Sequence, residues 1–318
     1  MNNELIEYNL HFSKTIKLTF LKDWSFITVT GKDCFNYLQG QITYNLKLLK
    51  SNKHIICSHC TIDGKVLSIL RLFMHNDGYA YILRKSTSKF QINELKKYSI
   101  FSHVNICQKK DIILLGIMGR EARTKLLQIF KNIPHERDSV YQENDVIILK
   151  YDQPHERYLI IIKKHNLILN KILSLVDKIY HHKIWLALEI ASNFPIIDYN
   201  INKKFFPQSL NLEKLNGLDL KKGCYYGQEM IAKIHFKKLN KHYLHWLSGY
   251  SYPIPKIGDN IEQKKNKNFS SCGWILSVVK LSTTKIWIQA VLKHYNHYKT
   301  NVFRIKNKIN SFFYITDE

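Results

Sequence analysis

The chain has 318 residues, of which 45% are hydrophobic and 23% are charged. This composition is that of a globular protein, so it excludes a disordered, collagenous or low-complexity chain, and the length predicts more than one domain. The formal net charge of +23 would ordinarily favour a nucleic acid or an anionic membrane as partner. Only seven of the 48 basic residues are arginine. Because arginine is preferred where phosphate is bound through two donors, we interpret the lysine excess mainly as compositional drift.

The sequence carries no feature of an exported or membrane protein. Its N-terminus lacks the apolar segment of a signal peptide. The most apolar run, Ile112–Met118, is far shorter than the roughly 20 residues that span a bilayer. Six scattered cysteines are too few for a disulfide framework in a chain of this length. We therefore expect a cytoplasmic protein that does not bind membranes.

The first two thirds of the chain alternate strands and helices irregularly. A strand is predicted from Trp24, followed by a short helix that begins after Asp33. The Asp63-Gly64 and Asp77-Gly78 pairs predict hairpin turns between apolar strands. Further strands and helices are predicted at 88–98 (helix), 104–107 (strand), 112–117 (strand), 119–130 (helix), 146–151 (strand), 158–162 (strand) and 166–176 (helix). Hairpins within this alternation favour an α+β fold with antiparallel sheets over a doubly wound parallel sheet.

The pattern changes from about Tyr243 onward, where strand follows strand with little helix. Strands are predicted at 243–249, 273–281, 285–292, 301–306 and 312–315, and the polar run 264–268 is predicted to be a loop. Short strands at regular spacing are typical of a small β-barrel or sandwich.

A cysteine framed by two glycines stands out in the segment 221–229, KKGCYYGQE. Cys224 follows two lysines and precedes a helix predicted to begin near Gln228, an environment that lowers a thiol pKa and favours the thiolate. The alternative is a small hydrophobic residue buried in a turn, because no partner base can be identified in the sequence. The residues by themselves leave both interpretations open.

Cys57-Ser58-His59-Cys60 could suggest a metal site. Zinc and iron–sulfur sites need about four ligands, usually from a second close pair, and the sequence offers no such pair. We therefore predict no metal site.

Motifs from about residue 20 to the end of the chain, weakest in the barrel region, resemble the YgfZ family, the folate-binding, tRNA-modifying relatives of the glycine-cleavage T-protein. The most specific motif is the Lys-Gly-Cys-Tyr-x-Gly-Gln-Glu loop, which consists here of Lys222, Gly223, Cys224, Tyr225, Gly227, Gln228 and Glu229. Other matching segments are Asp23-Trp24, 30–33, 37–43, Asp63-Gly64-Lys65, 70–73, Trp185-Leu-Ala-Leu188, 194–198 and Pro207-Gln208.

The resemblance implies a T-protein-like cloverleaf, with two α+β halves built on antiparallel sheets and a C-terminal β-barrel. We expect the α+β core to span 1–236, with the boundary between its halves near 105–112 and an interwoven arrangement left open. The barrel is expected to span 237–318.

The resemblance also implies a ligand, tetrahydrofolate or a derivative. Trp24 and Trp185 match the family's folate-binding tryptophans, and an indole face suits a flat pterin ring. Ordinary core packing is the alternative for each tryptophan. In the matching loop, Cys224 is the candidate functional thiol.

The implied role is support of tRNA thiomethylation and of the assembly or repair of iron–sulfur enzymes, such as a tRNA thiomethylase. A monomer is compatible with this role, and turnover by the protein itself is left open. Asn193 stands where the family usually has glycine, and the catalytic carboxylate of the T-protein cannot be placed. Two alternatives are a folate-dependent one-carbon transferase and a basic module that contacts tRNA directly.

Overall fold

The computed structural model describes residues 15–143, 145–265, 268–293 and 302–316. Within these residues the strands form a five-stranded sheet, a six-stranded sheet and a closed barrel. None of the described helices combines the length and the apolar character needed to cross a membrane.

The five-stranded sheet follows an initial strand, β1 (Lys17–Phe20), that belongs to the other sheet. Its own strands are β2 (Trp24–Thr30), β3 (His54–Cys60), β4 (Val66–His75), β5 (Gly78–Arg84) and β6 (Asn105–Gln108). They pair antiparallel in the order β3-β4-β5-β2-β6. Gly64 has φ +71° in the β3–β4 turn, a conformation that glycine adopts without strain.

Two helices cover this sheet, α1 (Cys34–Gln39) and α2 (Lys85–Tyr98). Ile92 and Leu95 of α2 pack into the same apolar cluster as Leu38 of α1. Asp33 stands at the start of α1 as predicted, but its carboxylate makes no cap. It accepts a hydrogen bond from the His103 backbone N–H instead (2.7 Å).

The six-stranded sheet combines β1 with strands from the middle of the chain. These are β7 (Ile112–Met118), β8 (Val140–Glu143), β9 (Val146–Tyr151), β10 (Arg157–Lys163) and β11 (Ile179–Tyr180). The order is β11-β1-β7-β10-β9-β8, with β1 and β11 parallel and the other pairs antiparallel. Its helices are α3 (Ala122–Leu127), α4 (Ile168–Leu173) and α5 (Lys183–Ala191).

The barrel follows short 3-10 turns and a last helix, α6 (Gln228–Phe236). Its strands are β12 (His242–Ser251), β13 (Asn260–Lys265), β14 (Asn268–Lys280), β15 (Ile286–Lys293), β16 (Phe303–Ile305) and β17 (Ser311–Ile315). They close in the order β12-β15-β14-β13-β16-β17. A barrel closed in this way leaves no strand edge unpaired.

Helix α5 lies where the three units meet. Trp185 and Leu188 pack in a cluster with Phe73 of the first sheet and Leu149 of the second. Ala187 and Ile190 belong to a different cluster, which includes barrel residues. The apolar sequence of α5 is therefore explained by burial on several sides.

The predicted fold class, α+β with antiparallel sheets and a C-terminal barrel, is confirmed. The loop predicted at 264–268 is wrong in part, because Lys264 and Lys265 end β13 and Asn268 begins β14. The residues between them lie outside the described ranges, as does Asn301 of a predicted strand. The predicted division into domains stays a prediction.

A buried histidine on β3 makes the fold sensitive to acid. His59 is 1% exposed, and its Nδ1 has no hydrogen-bond partner among the described residues. Burial lowers the pKa of His59 to about 4, slightly opposed by the Glu94 carboxylate. Between pH 6.5 and about 4, His59 is therefore protonated in the unfolded chain and neutral in the folded chain. Because the unfolded chain binds more protons, the free energy of unfolding falls as the pH falls through this range.

We expect His59→Gln to remove the part of this pH dependence that His59 contributes, while His54, whose pKa burial lowers to about 3, keeps its own part. Between pH 7 and 4.5 the wild type should lose about 2 to 3 kcal/mol more unfolding free energy than the variant, from about 1.4 kcal/mol per pH unit. Urea denaturation at several pH values measures the difference. His103→Gln, at an exposed position, should retain the wild-type acid loss. An unchanged acid loss in His59→Gln would contradict the assignment.

Candidate functional site

Residues 222–229, the functional loop, lead into α6 and are anchored by a buried lysine. The Lys222 ammonium donates hydrogen bonds to the backbone carbonyls of Gln39 (2.6 Å), Ile42 (2.8 Å) and Tyr44 (2.8 Å). Burial lowers the pKa of Lys222 to about 8. These carbonyls replace water around the charge and fix the loop against the end of α1.

The remaining anchors hold the loop in one conformation. Gly227 has φ +84°, and a Cβ there would lie 2.4 Å from the carbonyl oxygen of Thr61 in the β3–β4 hairpin. The Gln228 side chain accepts a hydrogen bond from the Tyr225 backbone N–H (3.2 Å) and donates one to the Lys222 carbonyl (3.4 Å). The Tyr225 ring is buried. Glycine at 227 is therefore required both by its backbone angle and by the close approach of the hairpin.

The other side of the loop is open. Cys224 is exposed, so its interpretation as a buried hydrophobic residue is wrong. A Cβ on Gly223 would meet no atom within 4 Å, and Glu229 is exposed in the first turn of α6. Lys222, expected to supply positive charge beside the thiol, is engaged by carbonyls instead. The loop thus presents its thiol outward from a rigid base.

An aromatic pair adjoins the loop. The Tyr226 hydroxyl lies 2.7 Å from that of Tyr98, with ring centroids 5.0 Å apart, and the Tyr226 backbone N–H donates to the Gly40 carbonyl. The hydrogen bond to Tyr98 raises the pKa of Tyr226 to about 12. Its hydroxyl therefore keeps its proton at neutral pH, and it is no general base there.

Trp24 begins β2 and is half-buried. Its ring centroid lies 5.9 Å from that of Phe194, and the Arg84 guanidinium lies 5.2 Å from the ring. Asp198 holds Arg84 through Nε (3.1 Å) and Nη2 (3.2 Å). The buried Nη1 of Arg84 has no hydrogen-bond partner among the described residues, and its ion pair with Asp23 is 3.9 Å long.

Trp185 lies deeper, in the core between the sheets. It is 1% exposed, with the Tyr151 ring 5.2 Å away and the Arg157 guanidinium 5.0 Å from its own ring. A Cβ on Gly116 of β7 would come within 2.4 Å of the indole, so glycine makes room for the ring. Trp185 is therefore packed like an ordinary core residue. A ligand that stacks on its indole must insert between Trp185 and the side chains around it.

A buried ionic cluster adjoins Trp185, and sequence reasoning missed it. The Glu189 carboxylate accepts hydrogen bonds from Arg157 (3.2 Å) and Arg71 (3.5 Å), and all three side chains are buried. Burial lowers the pKa of Arg157, opposed by the charge of Glu189. Arg157 Nε has no hydrogen-bond partner in the described part of the chain. Glu189 is an acidic residue in the otherwise apolar sequence of α5, and this pattern could have indicated the cluster, because a buried carboxylate requires charged or hydrogen-bonding partners.

A cavity of about 320 Å³ opens beside Trp24, with Phe26, Ile112 and Leu114 among its apolar lining. Leu114 and Gly116 are two residues apart on β7, so they lie on one face of the strand, about 7 Å apart. Leu114 lines the cavity, and Gly116 lies against the indole of Trp185. This face of β7 therefore leads from the cavity at Trp24 to Trp185, and the two predicted tryptophans belong to one region.

The Cys57–Cys60 segment is part of β3. Cys57 and Cys60 are buried, and Cys60 Sγ lies 3.3 Å from the Ser58 hydroxyl. Burial raises the pKa of both thiols, that of Cys60 to about 12. No group of three or more metal-ligating side chains is arranged to hold an ion within the described ranges.

The architecture is that of the aminomethyltransferase T-proteins. The solved structure of glycine cleavage system aminomethyltransferase T from Bartonella henselae matches with a TM-score of 0.75, covering 99% of this chain and 88% of that chain at 13% identity. This likeness establishes the shared fold.

Sequence comparison defines the family. The model of the YgfZ β-barrel domain matches residues 240–308. The tRNA-modifying protein YgfZ of Hamiltonella defensa is 40% identical over 295 residues, 91% of this chain and 87% of that relative. The protein of the same name from Yersinia enterocolitica is 38% identical over 285 residues, 88% of this chain and 85% of that relative. The chain belongs to the YgfZ family.

Proposed function

We propose that this protein binds tetrahydrofolate or a derivative between Trp24 and Trp185 and supports tRNA thiomethylation. The relatives are named for tRNA modification, and a cytoplasmic location follows from that proposal. The folate would carry the one-carbon unit or reducing chemistry, while the protein, acting as a monomer, would serve the assembly or repair of iron–sulfur enzymes such as a tRNA thiomethylase.

The observation that carries the folate proposal is a pair of unsatisfied donors beside the tryptophans. Arg84 Nη1 lies near Trp24 and Arg157 Nε near Trp185, and both are buried without a hydrogen-bond partner among the described residues. An unsatisfied buried donor costs about 1 to 3 kcal/mol. Folate has carbonyl and carboxylate acceptors together with a flat ring for stacking, so it fits both the donors and the indoles.

The functional loop supplies the second part of the proposal. Cys224 is exposed on a rigid base, with open space around Gly223. This arrangement suits a thiol that meets a large partner rather than a small molecule in a closed pocket. We assign Cys224 to contact or chemistry with the client iron–sulfur enzyme.

Fluorescence titration with tetrahydrofolate tests the proposal. The wild type should show saturable quenching, and Trp24→Leu and Trp185→Leu should each weaken binding by about tenfold, since an aromatic pair contributes about 0.5 to 1.5 kcal/mol beyond area burial. Trp274→Leu is the matched control, because Trp274 lies on barrel strand β14, packs against Phe205 and does not line the cavity beside Trp24.

Circular dichroism confirms that each variant is folded before titration. Absence of saturable binding by the folded wild type would overturn the folate proposal. Equal weakening in Trp274→Leu and Trp24→Leu would overturn the assigned site.

A further inference from the structure

Three lysines line the cavity beside Trp24. They are Lys85, the first residue of α2, and Lys109 and Lys110, which follow β6. All three are exposed, none has a carboxylate partner within the described residues, and the cavity lining contains no acidic side chain. The lining of a cavity next to an indole thus carries three cations and no acid, while Asp111 and Asp23 adjoin it in sequence.

The positions of Lys85 and Lys109 are fixed by the N-terminal end of β2. The Lys85 backbone N–H donates to the Asp23 carbonyl (2.8 Å), next to the pairing of Trp24 with Arg84. The Lys109 backbone N–H donates to the Phe26 carbonyl (3.1 Å). Two separate segments therefore deliver their charges to one side of the cavity through backbone hydrogen bonds.

We propose that this lysine rim binds the γ-linked polyglutamate tail of a folate. The inference rests on the proposed function, since it assigns a subsite next to the folate's own. Each added glutamate brings one carboxylate, and the rim supplies three cations with no acid among the residues that line the cavity. The apolar wall of Ile112 and Leu114 leads inward to Trp185, so a pterin directed inward leaves its tail at the rim.

An RNA backbone would also be attracted by lysines. The observations favour the tail, because the charges border a cavity of about 320 Å³ whose lining includes two aromatic rings, Trp24 and Phe26, beside Ser25 and Gln108. That size is typical of a small-molecule site. Recognition of phosphates along an extended RNA does not require such a cavity.

Titration calorimetry with 5-formyltetrahydrofolate as monoglutamate and as triglutamate tests the inference. The wild type should bind the triglutamate about tenfold more tightly at low salt, and the gain should shrink as salt screens the charges. The variant Lys85→Gln/Lys109→Gln/Lys110→Gln should lose this gain and keep its monoglutamate affinity within about threefold. The control Lys131→Gln/Lys171→Gln/Lys280→Gln removes the same charge from exposed positions outside the cavity lining and should keep the gain.

Equal wild-type affinity for both tail lengths would overturn the lysine rim and leave folate binding intact. Failure of the wild type to bind either form would instead overturn the proposed function. Retained triglutamate preference in the rim variant, accompanied by loss of tRNA binding in a filter assay, would assign these lysines to RNA and overturn the inference.

Discussion

Replacing Glu189 by alanine should lower the free energy of unfolding by about 3 to 5 kcal/mol, the usual cost of removing one partner from a buried ion pair. Glu189 is 1% exposed and is the carboxylate that binds both Arg157 and Arg71. Without it, two guanidinium groups remain buried in the core, each stacked on the Tyr151 ring. Aromatic contacts offset only part of the cost of an unpaired buried charge.

Urea denaturation followed by far-ultraviolet circular dichroism measures this change. Glu213→Ala is the matched control, because Glu213 forms an exposed pair with His235 (2.8 Å), and such pairs contribute about 0 to 1 kcal/mol. Glu189→Gln keeps the shape of the side chain and should fall between the two. Similar unfolding free energies for Glu189→Ala and Glu213→Ala would show that the cluster is not electrostatically coupled.

The same cluster bears on the one-carbon transferase alternative. Each oxygen of the Glu189 carboxylate accepts a hydrogen bond from an arginine. A general base must lie within hydrogen-bond reach of the proton that it removes, and Glu189 is 1% exposed with both oxygens directed at arginines. Glu189 is therefore better suited to orienting Arg157 beside Trp185 than to proton transfer.

Substitutions of Lys222 and of Cys224, two residues apart in one loop, should affect different properties, stability for Lys222 and cellular function for Cys224. Lys222→Met should lower the free energy of unfolding by about 2 to 4 kcal/mol, because three backbone carbonyls lose a charged donor. Cys224→Ala should change it by less than about 0.5 kcal/mol, since the thiol is exposed. Cys224→Ala should nevertheless abolish support of tRNA thiomethylation in cells that lack their own copy of the protein.

The pH dependence of stability distinguishes the role of Lys222 from simple packing. Its pKa is about 8 in the folded chain against 10.5 when unfolded, so the unfolded chain binds more protons between these values. The wild-type free energy of unfolding should therefore increase more than that of Lys222→Met as the pH rises from 8 to 10.5.

Cys107→Ala is the control for the Cys224→Ala variant. If cells that carry Cys224→Ala show full tRNA thiomethylation, the proposed role of the thiol is removed.

Local signals in the sequence accounted for most of the fold. Asp63-Gly64 turned the hairpin as predicted, and the helix expected near Gln228 begins there. Strand β13 was not predicted, because the polar run that contains Lys264 resembles a loop, whereas the outer face of a barrel strand can carry an exposed charge such as Lys264. The strand pairs with β14 on one edge and with β16 on the other, and its partners on β16, such as Ile305 opposite Ile261, are distant in sequence.

The site was predictable in its parts but not in its contacts. The motif around Cys224 identified the loop, yet the direction of the Lys222 side chain depends on carbonyls about 180 residues away. Glu189 could be singled out as an acid in an apolar helix, but its partners lie 32 and 118 residues away. Such pairings follow from how the sheets pack, which no local pattern encodes.

The position of β1 has a consequence for synthesis on the ribosome. This strand lies between β7 and β11, although it precedes all of the first sheet in sequence. About 100 residues must be added before β7 can pair with it, which takes roughly 5 to 20 s at 5 to 20 residues per second. During that delay β1 is an unpaired edge able to join a neighbouring nascent chain. Its four-residue length and the charge of Lys17 limit that hazard, because short and lysine-bearing edges pair poorly with other strands.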